Sequence, residues 1–246
     1  MNALGLLFVL FFASLMVAFW YLNRRANLLG LRRISAFSRL RQAIDLSVED
    51  GSRLHVTLGR GGLTGPQSAA ALVGLSMLKR VSQIASESDR PPIATTGEGV
   101  LALLAQDTLR ATYEDRGVFQ DYDPTSGRLA GLTPFSYAAA TLPIMRDEAV
   151  SANLLAGNFG AEVGLITTGA DYARTLSLGG ADNLTAQSIL YATAQEPLVG
   201  EELYAGGAYL DAGPMHSASL HAQDVIRWLL VIFILFNALR QLIAVF

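Results

Sequence analysis

The chain has 246 residues, 51% of them hydrophobic, with no cysteine and a formal net charge of −3. Without cysteine, disulfide scaffolding, thiol catalysis and cysteine metal sites are excluded. The middle of the chain, Gln42 to Gln223, sets ten basic residues against twenty acidic ones, which excludes a nucleic-acid binder, since phosphate attraction needs a positive face.

Leu4 to Leu22 is a run of 19 residues without a charge, the length that crosses a hydrocarbon core of ~30 Å. It opens without a basic residue, is long for a signal core, and is followed by no small-x-small cleavage site. Residues 1–23 are therefore expected to be a permanent span. Next comes "NRRANLLGLRRISAFSRLR", with six arginines (Arg24, Arg25, Arg32, Arg33, Arg39 and Arg41) before the first acid, Asp45. Positive charge stays on the cytoplasmic side, so the middle domain is expected in the cytoplasm and both termini outside. Trp20 closes this span and Trp228 opens a second, which would set both indoles at one interface. Leu28, Leu31, Ile34, Phe37 and Leu40 recur every three residues between the arginines. Residues 24–44 thus read as a basic amphipathic juxtamembrane segment, either lying on anionic headgroups or forming a stalk whose arginines set the topology.

Residues 45–223 repeat one pattern: a short apolar run, a Gly or Thr turn, then a helix. The expected strands are 53–59, 91–97, 127–134, 152–160 and 187–194; the helices are about 66–86, 98–115, 134–149, 161–177 and 198–210. Apolar runs with little alternation fit strands covered on both faces, as in parallel sheets. The expected fold is a doubly wound, Rossmann-like α/β domain of about five strands, its strand order not readable. Pro66 and Pro197 fall where a first helical turn tolerates a missing N–H. "DYDPTSG" (121–127) has turn chemistry, but Leu132 stands where a calcium loop needs a bidentate acid.

The first strand-to-helix turn, "GRGGLTG" (59–65), begins like a dinucleotide fingerprint, but Thr64 replaces its last glycine. A Walker loop is excluded, because the only lysine is Lys79. Glu98 follows the second strand, where a ribose-binding acid would sit. "TTGEG" (95–99) and "GNFGAE" (157–162) are turns of the same kind. At the carboxyl edge of the sheet, Gly59, Gly61, Gly62, Thr96, Gly97, Glu98 and Asn158 would line a small-ligand site. Alternatively, the glycines serve the corner alone, and that is the favoured reading.

Catalytic parts are missing. There is no G-x-S-x-G elbow. His55 reads as a hydrogen-bonded core residue, and His216 and His221 lack the further ligands a zinc site needs. No catalytic residue, cofactor or metal is expected, and the protein leans away from being an enzyme.

Val225–Phe246 is the second span, with 224–246 as its domain. Only twelve residues separate Arg227 from Arg240, about 18 Å of helix. Asn237, Arg240 and Gln241, at i, i+3 and i+4, share one face in the outer half of the bilayer. They would either meet a helix (the first span, where Ser14 is the only non-aromatic polar residue, or another subunit) or snorkel to headgroups.

"LYATAQEPLVGEELYAGGAYL" (190–210) and "SLHAQDVIRWLLVIFIL" (219–235), with "LHVTLGRGGL" (54–63) and "TTGEGVLALLAQDTLR" (95–110), resemble an uncharacterised family of bacterial membrane-anchored proteins, a domain of unknown function. The resemblance covers most of 45–235. It implies no activity, cofactor or catalytic residue, but it places the protein in a bacterial inner membrane and makes the α/β domain and closing span one unit. The leading expectation is a self-associating scaffold subunit of a membrane complex, bound to the bilayer and to copies of itself or other membrane subunits. The rival is a small-ligand or nucleotide sensor, or a transport accessory, using the carboxyl edge of the sheet.

Overall fold

The computed structural model describes residues 3–26, 30–86, 88 and 90–245, without the side chains of 24–26, 244 and 245. The expected interfacial residues Arg24, Arg25 and Leu28 therefore lie outside the described side chains. In chain order the elements begin with α1 (Ala3–Ala26), α2 (Ser35–Asp50), β1 (Arg53–Gly59), α3 (Ser68–Ala85), β2 (Ile93–Thr96) and α4 (Gly99–Arg116). They continue with β3 (Gly127–Leu129), α5 (Pro134–Asp147), β4 (Val150–Asn158), α6 (Val163–Tyr172) and β5 (Leu176–Ala181). Last come α7 (Leu184–Thr193), β6 (Glu196–Pro197), α8 (Gly206–Tyr209) and α9 (Pro214–Val245).

Two compact units result: residues up to Arg32 with those from Gly213 onward, and Arg33–Ala212. In the first unit, 3–23 of α1 and 214–243 of α9 are long and apolar enough to cross a membrane. The two helices pack against each other. Asn23 Nδ2 donates to Ser217 Oγ at 2.8 Å, and the Phe19 and His221 rings lie 5.7 Å apart; these two pairs set an antiparallel register. α9 starts eleven residues before the expected second span, and the α/β unit ends at Ala212.

The second unit is a six-stranded sheet in the order β3-β2-β1-β4-β5-β6, with every pair parallel. This is the doubly wound order of a Rossmann-like fold. On one face, α2, α3 and α4 pack Phe37, Ile44, Leu75, Leu78 and Leu101 against Val56, Leu58 and Leu154. On the other, α5, α6 and α7 pack Tyr137, Met145, Ile166 and Leu190 against Leu155 and Phe159. The alternation of side chains along each strand divides the two cores.

The expected strands over 53–59, 91–97, 127–134 and 152–160 are found, with shifted ends. That over 187–194 is not: all of "QSILYATA" but its last residue lies in α7, whose start is fixed by Asn183 Oδ1 accepting the Ala186 N–H at 2.9 Å. The fifth strand is instead "LSLGGA", which overlaps the expected helix 161–177 only at Leu176 and Ser177 and otherwise lies where no element is expected, and β6 adds a sixth. The segment 24–44 is corrected from Ser35 onward. There it is helix α2, and Phe37 and Leu40 are each 2% exposed in the core, so this part of the apolar stripe faces the sheet and not lipid. Arg39 pairs with Glu196 at 3.0 Å and Arg41 with Asp211 at 2.6 Å. Ser35 Oγ donates to the second oxygen of Glu196, so α2 holds the edge strand β6 by its one acid.

Candidate functional site

In the order 3-2-1-4-5-6 the chain leaves β1 for α3 on one face and β4 for α6 on the other. The crevice at the carboxyl ends of these two neighbours is the topological switch point, where open α/β sheets bind ligands. The structure brings the expected site residues together there. Gly59 takes a left-handed φ of 72°, and an added Cβ would stand 2.1 Å from the Asn158 carbonyl oxygen. A Cβ on Gly61 would meet Asn158 Cβ at 2.8 Å, whereas one on Gly62 meets nothing within 4 Å. The Gly59 carbonyl accepts from Gly97 N–H at 2.9 Å and from Thr96 Oγ1 at 2.9 Å. Gly59 and Gly61 are thus required by close approach; Gly62 is not.

Glu98 does not stand free for a ribose. It is the N-cap of α4, its Oε2 accepting the Leu101 N–H at 2.6 Å, which satisfies one of the helix's orphan donors. Asn158 Nδ2 donates to Asp182 Oδ1 at 2.7 Å. Four residues of this edge were not anticipated: Arg60, Tyr137, Glu162 and Asp182. Glu162 is 3% exposed and accepts from Gly160 N–H at 2.9 Å and from Arg60 Nε at 3.2 Å. Arg60 also reaches the Leu132 carbonyl. The one cation in the turn is therefore neutralised on the spot, and Asp182 leaves the edge acidic. Arg60 is visible inside "GRGG"; Asp182 is hidden because the sequence reading assigns no strand before it.

Under the turn runs a buried polar row. His55, Thr57, Thr95 and Asn153 are all fully buried. His55 Nε2 lies 2.9 Å from Thr95 Oγ1, and Thr57 Oγ1 donates to Asn153 Oδ1 at 2.7 Å. Tyr137 Oη accepts the Gly59 N–H at 3.1 Å and donates to the Thr95 carbonyl at 3.3 Å. Burial, with the positive charge of Arg128 adding to it, holds His55 down to about 3, so its imidazole is neutral at pH 7. Burial likewise raises Tyr137 far above the usual phenol range, keeping it a donor. Such a network rigidifies the corner. It makes His55 a core residue, as its place inside a strand implied. Among the described residues no group of three His, Asp or Glu is arranged to hold a metal.

The family model described as a domain of unknown function, DUF6754, matches residues 2–246. The chain belongs to the DUF6754 family. The match takes in both apolar helices as well as the α/β unit. No curated protein and no solved structure matches the DUF6754 chain.

In the helical unit of the DUF6754 chain the remaining expected residues are more dispersed. Continued along the helices, the register set by Asn23–Ser217 and Phe19–His221 puts Trp20 level with Leu220. That is eight residues, about 12 Å, from Trp228, so the two indoles do not share one level as expected. Arg32 and Arg33 are exposed. Asn237 Nδ2 donates to its own helix at Phe233 O, 2.8 Å away, and Arg240 and Gln241 are exposed beside it. Ser14 Oγ is engaged with Leu10 O at 2.8 Å. The same register puts Ser14 beside Ile226, about 16 Å along the axis from Asn237. Among the described residues the first span offers the stripe no polar partner.

Proposed function

We propose that the protein is a membrane-anchored subunit that self-associates in the bilayer and holds its acidic α/β unit at the cytoplasmic face as a scaffold in a bacterial inner membrane. The observation that carries this reading is the stripe of Asn237, Arg240 and Gln241 on a surface with no partner on α1. The outer parts of both helices are exposed along their length, from Leu4 at 82% to Ile243 at 67%. Polar groups at that depth are stable when they face one another across helices, and a second copy brings the same three groups. The arginines before Asp45 support the cytoplasmic placement. Native mass spectrometry of the chain in lipid nanodiscs tests the reading. A discrete homo-oligomer, weakened by Arg240→Leu, supports it. A monomer overturns it.

One observation favours a second reading, a small-ligand binding module: the strand order sets "GRGGLTG" at the switch point, beside Asn158. The test uses the full chain in nanodiscs, with inorganic phosphate, ATP and NAD as probes. Gly62→Asp is the variant of choice, because Gly61 cannot carry a side chain without displacing Asn158. A rise in Tm with one probe, lost in Gly62→Asp, supports this reading; no shift at millimolar probe removes it.

A further inference from the structure

Helix α4 ends at Arg116 because Gly117 takes a left-handed φ of 73°, its N–H turning back onto the Tyr113 and Glu114 carbonyls. The chain then returns along the helix as far as Gly127, held by one residue of α4. Tyr122 Oη donates to the Gln106 carbonyl at 3.4 Å, and Gln106 Nε2 donates to the Gly127 carbonyl at 2.8 Å. Between the helix and the returning segment lies an open groove of about 670 Å³. One wall is Leu103, Gln106, Asp107 and Arg110, spaced i, i+3, i+4 and i+7 on a single face of α4. The other is the returning segment, with the rings of Phe119 and Tyr122.

The charges of the groove do not cancel. Arg110 is the one cation in the lining, and Glu114, one turn on, takes it at 2.9 Å. Asp107 is exposed, and among the described residues its carboxylate accepts no hydrogen bond and stands in no ion pair. The same is true of Asp121, between the two rings in sequence. Asp123 adds little, since it accepts the Thr125 N–H and hydroxyl and lies in the field of Arg128. Asp115 and Arg116 lie outside the lining and offset each other. The aromatic wall favours cations too. The Arg110 guanidinium sits 5.7 Å from the Phe119 centroid, within the ~6 Å range of a cation–π contact, and the Phe119 and Tyr122 rings stack with centroids 6.0 Å apart. Phe119 remains 50% exposed and Leu103 66%, so apolar surface stays open one turn before and one turn after the Asp107 carboxylate.

We propose that this groove docks a basic segment of a partner polypeptide, with an Arg or Lys head on Asp107 and its aliphatic stem along Leu103 and the Phe119 ring. Charge complementarity selects this occupant. The stretch Gln42 to Gln223, which carries the groove, has twice as many acids as bases, so its field repels an acidic segment and draws a basic one in. The shape selects a chain over a free amine. About 10 Å separates Leu103 from Arg110 along the helix axis, a distance that roughly three extended residues span, and the groove is open, so a small cation would stay hydrated on one side. Aromatic and Arg side chains are the usual anchors of protein interfaces, and Phe119, Tyr122 and Arg110 are gathered at this one place.

The test is fluorescence anisotropy with the full chain in a non-ionic detergent, empty micelles as the blank, and three labelled, end-capped octapeptides that alternate Arg, Glu or Ser with Ala. Only the Arg peptide is expected to bind. Asp107→Asn should weaken it about fivefold, the scale of an exposed ion pair, and Phe119→Ala about tenfold, the loss of one interface anchor. Asp45→Asn, the same charge change on an exposed acid of α2, should stay within about twofold of wild type, since salt screens a distant charge. These side chains are all exposed, so the variants keep the fold. Failure of the Arg peptide to bind, or equal binding of the Ser or Glu peptide, overturns the proposal. Equal weakening by Asp107→Asn and Asp45→Asn overturns it in favour of attraction by net charge alone. Displacement of the peptide by an equal concentration of arginine amide overturns it in favour of a small-cation site.

Discussion

The Phe37 ring stacks on the Tyr209 ring, centroids 4.8 Å apart and planes 12° from parallel, joining the first helix of the α/β unit to its last. The same two ends are tied again by Arg41, which reaches the Tyr209 carbonyl and the Asp211 carboxylate, while Arg80 Nε, from α3, holds the exit segment at the Leu210 carbonyl at 2.6 Å. The segments through which the chain enters and leaves the unit are thus one packed structure. Phe37 is almost wholly buried, so Phe37→Ala is expected to cost about 3–5 kcal/mol. Arg41→Ala, removing a half-exposed ion pair, should cost under about 1 kcal/mol. Denaturant midpoints of the full chain in detergent decide it: equal losses would mean that the stack is not what closes the unit.

The corner at the end of β1 should tolerate change at one glycine and not at another. Gly59→Ala forces a Cβ onto the Asn158 carbonyl in a left-handed backbone, and should destabilise by about 2–4 kcal/mol. Gly62→Ala has open space and should fall within about 0.5 kcal/mol of wild type. Similar Tm values for the two variants would contradict the close approach of β1 and β4.

Glu98 offers a way to separate capping from ligand binding. Glu98→Ala should lower stability by about 1 kcal/mol and raise hydrogen exchange in the first turn of α4, with Glu98→Asn recovering part of the loss. If exchange at Leu101 is unchanged, the carboxylate is not a cap and its position at the end of β2 regains functional weight.

His55 makes stability depend on pH with a definite sign. Its folded value, about 3, lies below 6.5 for a free imidazole. Below pH 6.5 the unfolded chain therefore binds a proton that the folded chain refuses. The contribution is fully present above 6.5 and is lost as pH falls toward 3. Between pH 6 and 4, the unfolding free energy of wild type relative to His55→Gln should fall by about 1.4 kcal/mol per pH unit. Parallel pH profiles for the two proteins would show that the imidazole is not held neutral.

Much of the architecture was legible, because β1 and β4 are rich in apolar residues with little strict alternation and their turns carry glycine. Two elements misled for physical reasons. "LSLGGA" becomes a strand through its neighbours β4 and β6, and its small residues give no period of their own. Phe37 and Leu40 have a spacing that suits lipid and core equally; what decides is Glu196 and Asp211, more than 150 residues away, where Arg39 and Arg41 find their charges. The candidate site was legible as a set of turns, since Gly59, Thr96, Gly97 and Asn158 do converge. Its electrostatics were not, because the Arg60–Glu162 pair and the Tyr137 hydroxyl meet only once three separate crossovers have folded.

The edge strand β6 has a consequence for assembly. It is two residues long, its second residue is Pro197, and its Glu196 side chain is taken by α2. Proline has no N–H to give to a further strand, and so short an edge is a poor template for one. On that side the sheet is sealed. No further strand can lengthen the ladder past β6, so whatever meets the α/β unit on that side must be recognised by side chains and not by backbone pairing.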